Sequence, residues 1–87
     1  MIELVRIEPA GDRALDLSFS DGSCGRWSAD AVIARGTVLT RPLEDPAYFA
    51  RAFVEAGALA WPNGLEFSAH SLHAKLAEAG LLRREAA

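Results

Sequence analysis

The clearest alternation of apolar and polar positions runs through Ala14-Leu15-Asp16-Leu17-Ser18-Phe19, with Leu15, Leu17 and Phe19 at one parity and Asp16 and Ser18 at the other. A period of two predicts a strand buried on one face. Upstream, Ile2-Glu3-Leu4-Val5-Arg6-Ile7-Glu8 alternates imperfectly, because Val5 is out of step, and Pro9 ends this first predicted strand. Ser20-Asp21-Gly22 follows the second strand. Asp and Gly tolerate the positive φ of a tight hairpin turn, so Cys24 to Trp27 is expected to return antiparallel as a third strand.

Beyond Trp27 the period changes. Ser28-Ala29-Asp30 can cap a short helix over Ala31 to Ala34, with Gly36 as its stop, and Gly36 to Leu43 reads as irregular. Asp45 is placed to cap a helix whose first residue is Pro46, where the missing N–H costs little. Two readings then compete. Tyr48, Phe49, Ala52, Phe53 and Ala56 recur at helical spacing, which predicts one helix from Pro46 to Ala56 stopped by Gly57. The other reading is a single turn ending near Phe49, a strand from Arg51 to Glu55, a turn at Ala56-Gly57, and Ala58 to Trp61 pairing back.

The final element is a helix from Ala69 to Ala79, capped by Ser68 and ended by Gly80, with Leu72 and Leu76 on its apolar face and Ala79 one position off that stripe. Leu81 and Leu82 are expected to fold back onto the core, and the last residues to fray. Between the predicted strand and this helix stands Trp61-Pro62-Asn63-Gly64. As a corner, it makes Trp61 and Phe67 core anchors. As a partner-facing patch, it makes Tyr48, Trp61, Pro62 and Asn63 the candidate binding residues, since aromatics concentrate at interfaces.

Length then limits the picture to one domain over residues 1–87, because domains seldom fall below about 50 residues. Apolar residues at 51% and charged residues at 24% place the chain among globular proteins. Its core is small enough that a partner or a second copy, in a homo-oligomer, would add stability. Nine scattered cations are outweighed by twelve carboxylates, a net charge of −3, which argues against binding a phosphate backbone and favours a basic partner. Arg83-Arg84 is the one basic pair, and near a terminus it reads as solvated charge. No apolar run reaches the roughly 18 residues of a membrane span, and Glu3, Arg6 and Glu8 interrupt any signal-peptide core. With the lone Cys24, which permits no internal disulfide, these features lead to the expectation of a cytoplasmic protein.

Candidate chemistry is sparse. His70 and His73 lie three apart on the predicted helix, but a tetrahedral metal needs more ligands and only Cys24 and Glu66 could be added, so no metal site is assigned. Ser68 or Ser71 with a histidine and Glu66 lacks a nucleophile elbow, and Cys24 on a central strand reads as a small buried residue. Asp12 and Asp16 read as solvated carboxylates. Gly22-Ser23-Cys24-Gly25 neither matches a P-loop nor opens a helix. The expectation is a non-catalytic chain with no cofactor.

Three landmarks appear in order: Leu17-Ser18-Phe19-Ser20-Asp21-Gly22, Pro42-Leu43-Glu44-Asp45-Pro46-Ala47-Tyr48-Phe49, and Trp61-Pro62-Asn63-Gly64-Leu65-Glu66-Phe67. In that order and spacing the chain resembles a small bacterial family designated domain of unknown function 2442. The resemblance implies a compact α+β domain with an antiparallel or mixed sheet, and it favours the strand-turn-strand reading of Arg51 to Trp61. The expected architecture is therefore an N-terminal β-meander and a second hairpin near 51–61, packed against a C-terminal helix near 69–79. It also implies, for some relatives, a small partner protein in the manner of an antitoxin and its toxin. Other relatives carry a helix-turn-helix domain, which makes a transcription-regulator accessory or nucleic-acid-binding role the alternative. At 87 residues this chain is expected to hold no such second domain.

Overall fold

A computed structural model describes residues 1–85. Strands β1 (Leu4–Pro9), β2 (Ala14–Phe19) and β3 (Ser23–Ser28) form an antiparallel meander, and β7 (Arg83–Arg84) joins its far side in the order β1-β2-β3-β7. A second antiparallel sheet, β4-β5-β6, is built from β4 (Phe53–Glu55), β5 (Ala58–Ala60) and β6 (Glu66–Phe67). Helices α1 (Asp30–Ala34) and α2 (Pro46–Phe49), a 3-10 turn at Arg41–Glu44 and helix α3 (Ala69–Glu78) complete the α+β fold.

Val5 was out of step for a physical reason. Leu4 pairs with Phe19 and Arg6 with Ser18, so β1 spends two residues against one of β2 and Val5 is the extra residue of a β-bulge. The bulge returns Leu4 and Ile7 to the face that carries Leu15, Leu17 and Phe19, and leaves Val5 exposed. Trp27 pairs with Leu15 and Gly25 with Leu17, extending the same face to β3. Leu72 and Leu76 of α3 and the row Val54, Leu59 and Phe67 of the second sheet close over it. The two sheets meet where the Leu4 N–H donates to the Gly57 carbonyl at 2.8 Å.

Helix α2 is a single turn. Asp45 caps it by accepting the Ala47 N–H, with Pro46 at the first position. In a helix running on to Ala56, the Phe49 carbonyl would accept from the Phe53 N–H. Here it accepts instead from the Ala52 N–H at 3.2 Å and from the Trp61 indole Nε1 at 3.1 Å. Phe53 pairs with Ala60. The helical spacing of Tyr48 to Ala56 is thus overruled by a tertiary hydrogen bond, and the strand-turn-strand reading holds. Ala56 (φ 51°) and Gly57 (φ 81°) form the two-residue turn, whose doubly positive φ matches the twist of the paired strands.

Beyond α3 the chain forms β7 at Arg83–Arg84, and the last residues expected to fray, 86–87, lie outside the described residues. Gly80 and Leu81 end the helix in a Schellman arrangement, the Gly80 N–H to the Ala77 carbonyl and the Leu81 N–H to the Leu76 carbonyl. The Leu81 carbonyl then lies only 2.8 Å from where a Cβ on Gly25 would stand, so β3 needs glycine there for the chain to come so close. Arg83 pairs with Cys24 and Arg84 with Ser23, and the Arg84 guanidinium donates to the Asp21 carbonyl. Leu82 packs against the core, whereas Leu81 is about half exposed, contrary to its expected burial. The meander's other face carries Asp16 and Arg26, a direct cross-strand pair at 2.9 Å, rather than a solitary solvated Asp16.

Ala56 is the one non-glycine residue with positive φ among the described residues. Left-handed backbone costs an ordinary L-residue about 1–2 kcal/mol. Ala56→Asn, the residue favoured at this turn position, is expected to stabilise the protein by about 0.5–1 kcal/mol. That corresponds to a rise in Tm of about 3–6 °C in thermal denaturation.

Candidate functional site

Three connecting segments converge on one surface. The first is the loop from Gly36 to Thr40 between α1 and the 3-10 turn. Its two threonines lock each other: the Thr37 N–H donates to Thr40 Oγ1 at 3.0 Å, the Thr40 N–H donates to Thr37 Oγ1 at 3.1 Å, and the hydroxyls lie 2.9 Å apart. Thr40 is buried, while Val38 and Leu39 between them are 85% and 43% exposed. The second segment is α2, which contributes Tyr48, with the Arg51 guanidinium 5.9 Å from its ring centre.

The third is the corner Trp61-Pro62-Asn63-Gly64. The Gly64 N–H donates to the Trp61 carbonyl, and the Trp61 N–H donates to the Leu65 carbonyl. Pro62 fits the second position of this turn, and Gly64 (φ 93°) supplies the left-handed residue that completes a three-residue hairpin. Asn63 ties all three segments together. Its Nδ2 donates to the Leu39 carbonyl at 3.1 Å, its Oδ1 accepts the Leu65 N–H at 3.1 Å, and its own N–H donates to Tyr48 Oη at 3.0 Å.

Tyr48 and Asn63 of the four candidate binding residues are therefore joined, with Pro62 exposed beside Asn63. Trp61 is placed otherwise. Its side chain is 1% exposed and lies against Phe49 at 5.6 Å, Phe67 at 6.2 Å and Trp27 at 6.4 Å between ring centres. It is the core anchor of the corner and presents nothing to a partner. Sequence reasoning missed Val38 and Leu39. The available signal was two adjacent aliphatic residues between threonines in a segment that fits neither helix nor strand.

The remaining chemistry-bearing residues are dispersed. His70 is exposed, whereas His73 turns to the β2–β3 hairpin, its Nε2 3.1 Å from Asp21 Oδ2 and its ring edge-on to Phe19 at 5.2 Å. Asp21 also accepts the Ser23 hydroxyl at 2.6 Å and the Ser23 N–H at 3.0 Å. These bonds from Ser23, assisted by His73, hold the Asp21 carboxyl down at about 2. Arg26, chiefly through its hydrogen bonds, lowers Asp16 in the same way. Cys24 is a buried free thiol. Among the described residues no three His, Cys, Asp or Glu side chains cluster as a metal would require, and no helix is long and apolar enough to cross a membrane.

The family model described as "Protein of unknown function (DUF2442)" matches residues 4–78 of the 87-residue chain. No curated protein and no solved structure matches.

Asn63→Ala removes both side-chain bonds of the clamp and is expected to cost about 1–2 kcal/mol in denaturant unfolding. It should also raise amide hydrogen exchange in the Gly36 to Thr40 loop. Asp21 supplies a pH prediction. A carboxylate ionised more readily in the folded than in the unfolded chain stabilises the fold above its unfolded value of 3.8, and that contribution is lost as pH falls toward about 2. The Tm of the protein should therefore fall as pH is lowered from about 4 to about 2, and Asp21→Asn should flatten that part of the profile.

Proposed function

Given that the chain belongs to the DUF2442 family, whose description assigns no activity, we propose that it is a non-catalytic protein-interaction module docking through the surface of Val38, Leu39, Tyr48, Pro62 and Asn63. The observation that carries this reading is the presentation of Val38 and Leu39. Loops that expose aliphatic side chains are commonly mobile, but this one is pinned by the Thr37–Thr40 bonds and by Asn63. Burying such a side chain against a partner is worth about 1.5–3 kcal/mol. A loop already ordered in the free protein loses little entropy on docking.

The antitoxin-like form of this proposal is a small basic partner protein, drawn to a chain whose net charge is −3. Self-association would use the same surface. A cytoplasmic setting belongs to the same proposal.

The test compares the tagged protein with a Val38→Asp, Leu39→Asp variant, both captured from the cells that encode it and treated with nuclease. One small protein retained by the parent and lost from an equally folded variant is the expected result. A parent dimer in sedimentation that becomes monomeric in the variant would make the partner a second copy. Identical retention by both proteins, or retention that disappears with nuclease, overturns the reading, and the latter favours nucleic acid.

A further inference from the structure

A groove lies between α1 and α3, along the part of β3 that β7 leaves unpaired. Strand β7 covers only Ser23 and Cys24. Beyond them, two cavities of about 250 Å³ and about 120 Å³ share Trp27, Val32, Arg35 and Lys75 as walls. Trp27, Val32, Leu72 and Leu76 give the pair an apolar floor. At one end stands Leu81, held half exposed by the Schellman ending of α3.

The charged residues that line this groove have one sign. Arg26, Arg35 and Lys75 line it, and no carboxylate does. Arg26 is already engaged by both oxygens of Asp16, at 2.9 and 3.2 Å. Arg35, at the end of α1, and Lys75, on α3, are exposed and have no ion-pair or side-chain hydrogen-bond partner among the described residues. A chain with three more carboxylates than cations thus leaves two cations unneutralised above apolar ground. Within a Debye length of about 8 Å, local charge outweighs net charge, so this groove and the rest of the surface favour opposite partners.

An occupant must satisfy both features. A small inorganic anion would make no use of the floor. Each cavity is smaller than the roughly 300 Å³ at which enclosed small-molecule sites begin, which suits single side chains of a longer ligand. Nucleic acid needs a track of cations along its backbone, and this groove offers two. We propose that the groove binds an acidic, aliphatic peptide segment of a partner protein. Its carboxylates meet Arg35 and Lys75, and an aliphatic side chain rests against Trp27, Val32 and Leu81. This site is separate from the Val38–Leu39 surface and does not depend on it.

The test uses three labelled decapeptides: one alternating aspartate with leucine, one with lysine in place of aspartate, and one with serine in place of leucine. Binding is followed by fluorescence anisotropy at about 0.05 M and about 0.3 M salt, and by the NMR resonance of the Trp27 indole N–H. The expected result is that the aspartate-leucine peptide binds and shifts the Trp27 signal, while the other two bind at least about ten-fold more weakly. Binding should weaken at the higher salt. Arg35→Glu with Lys75→Glu should reduce affinity by about ten-fold or more, and Arg35→Gln with Lys75→Gln provides the same comparison if charge reversal disturbs folding. Equal binding of the lysine peptide, no binding below about 1 mM, or full affinity in the glutamine variant overturns the proposal. Loss of binding in Val38→Asp, Leu39→Asp with the groove variants unaffected would place the peptide on the loop surface and also overturn it.

Discussion

The Trp61 indole is the group on which the rest of the structure depends. Its ring touches Trp27 of the first sheet, Phe67 of the second and Phe49 of α2. Its N–H occupies the Phe49 carbonyl that a longer helix would have needed. A side chain of this size buries some 150–250 Å², a large share of the apolar contact available to a domain of this length. One residue therefore helps fix the end of α2, the start of β4 and the packing of one sheet on the other.

A second close contact ties the chain's last described strand to its third. The missing side chain of Gly25 lets the Leu81 carbonyl approach β3, and only then do Arg83 and Arg84 reach Cys24 and Ser23. The hairpin at Asp21 is drawn into the same junction, since Ser23, His73 and Arg84 all bond to it. The polar groups here hold backbone in place.

Both proposed docking surfaces follow from this economy. The corner that buries Trp61 also positions Asn63, and Asn63 fixes the loop carrying Val38 and Leu39. The ending of α3 that meets Gly25 also holds Leu81 at the end of the cationic groove. In each case a rigid contact inside the fold decides which apolar atoms remain outside. Preorganised apolar surface next to a few oriented polar groups is what recognition requires.

The sequence by itself determined the meander, the Asp45 and Ser68 caps, the glycine endings and the core residues of β2 and α3, because alternation, capping and turn chemistry act over a few neighbouring residues. The resemblance favoured the second hairpin against the periodicity, since Tyr48, Phe49, Ala52, Phe53 and Ala56 recur at helical spacing. Only tertiary structure decided that Trp61 lies inside while Tyr48 and Asn63 stay near the surface, because the choice rests on a hydrogen bond twelve residues away in sequence. It also decided the pairing of Arg83 and Arg84, the exposure of Leu81, and the meeting of Arg35 with Lys75 over Trp27. Those outcomes depend on which distant segments come together, and no local pattern of residues encodes that distance.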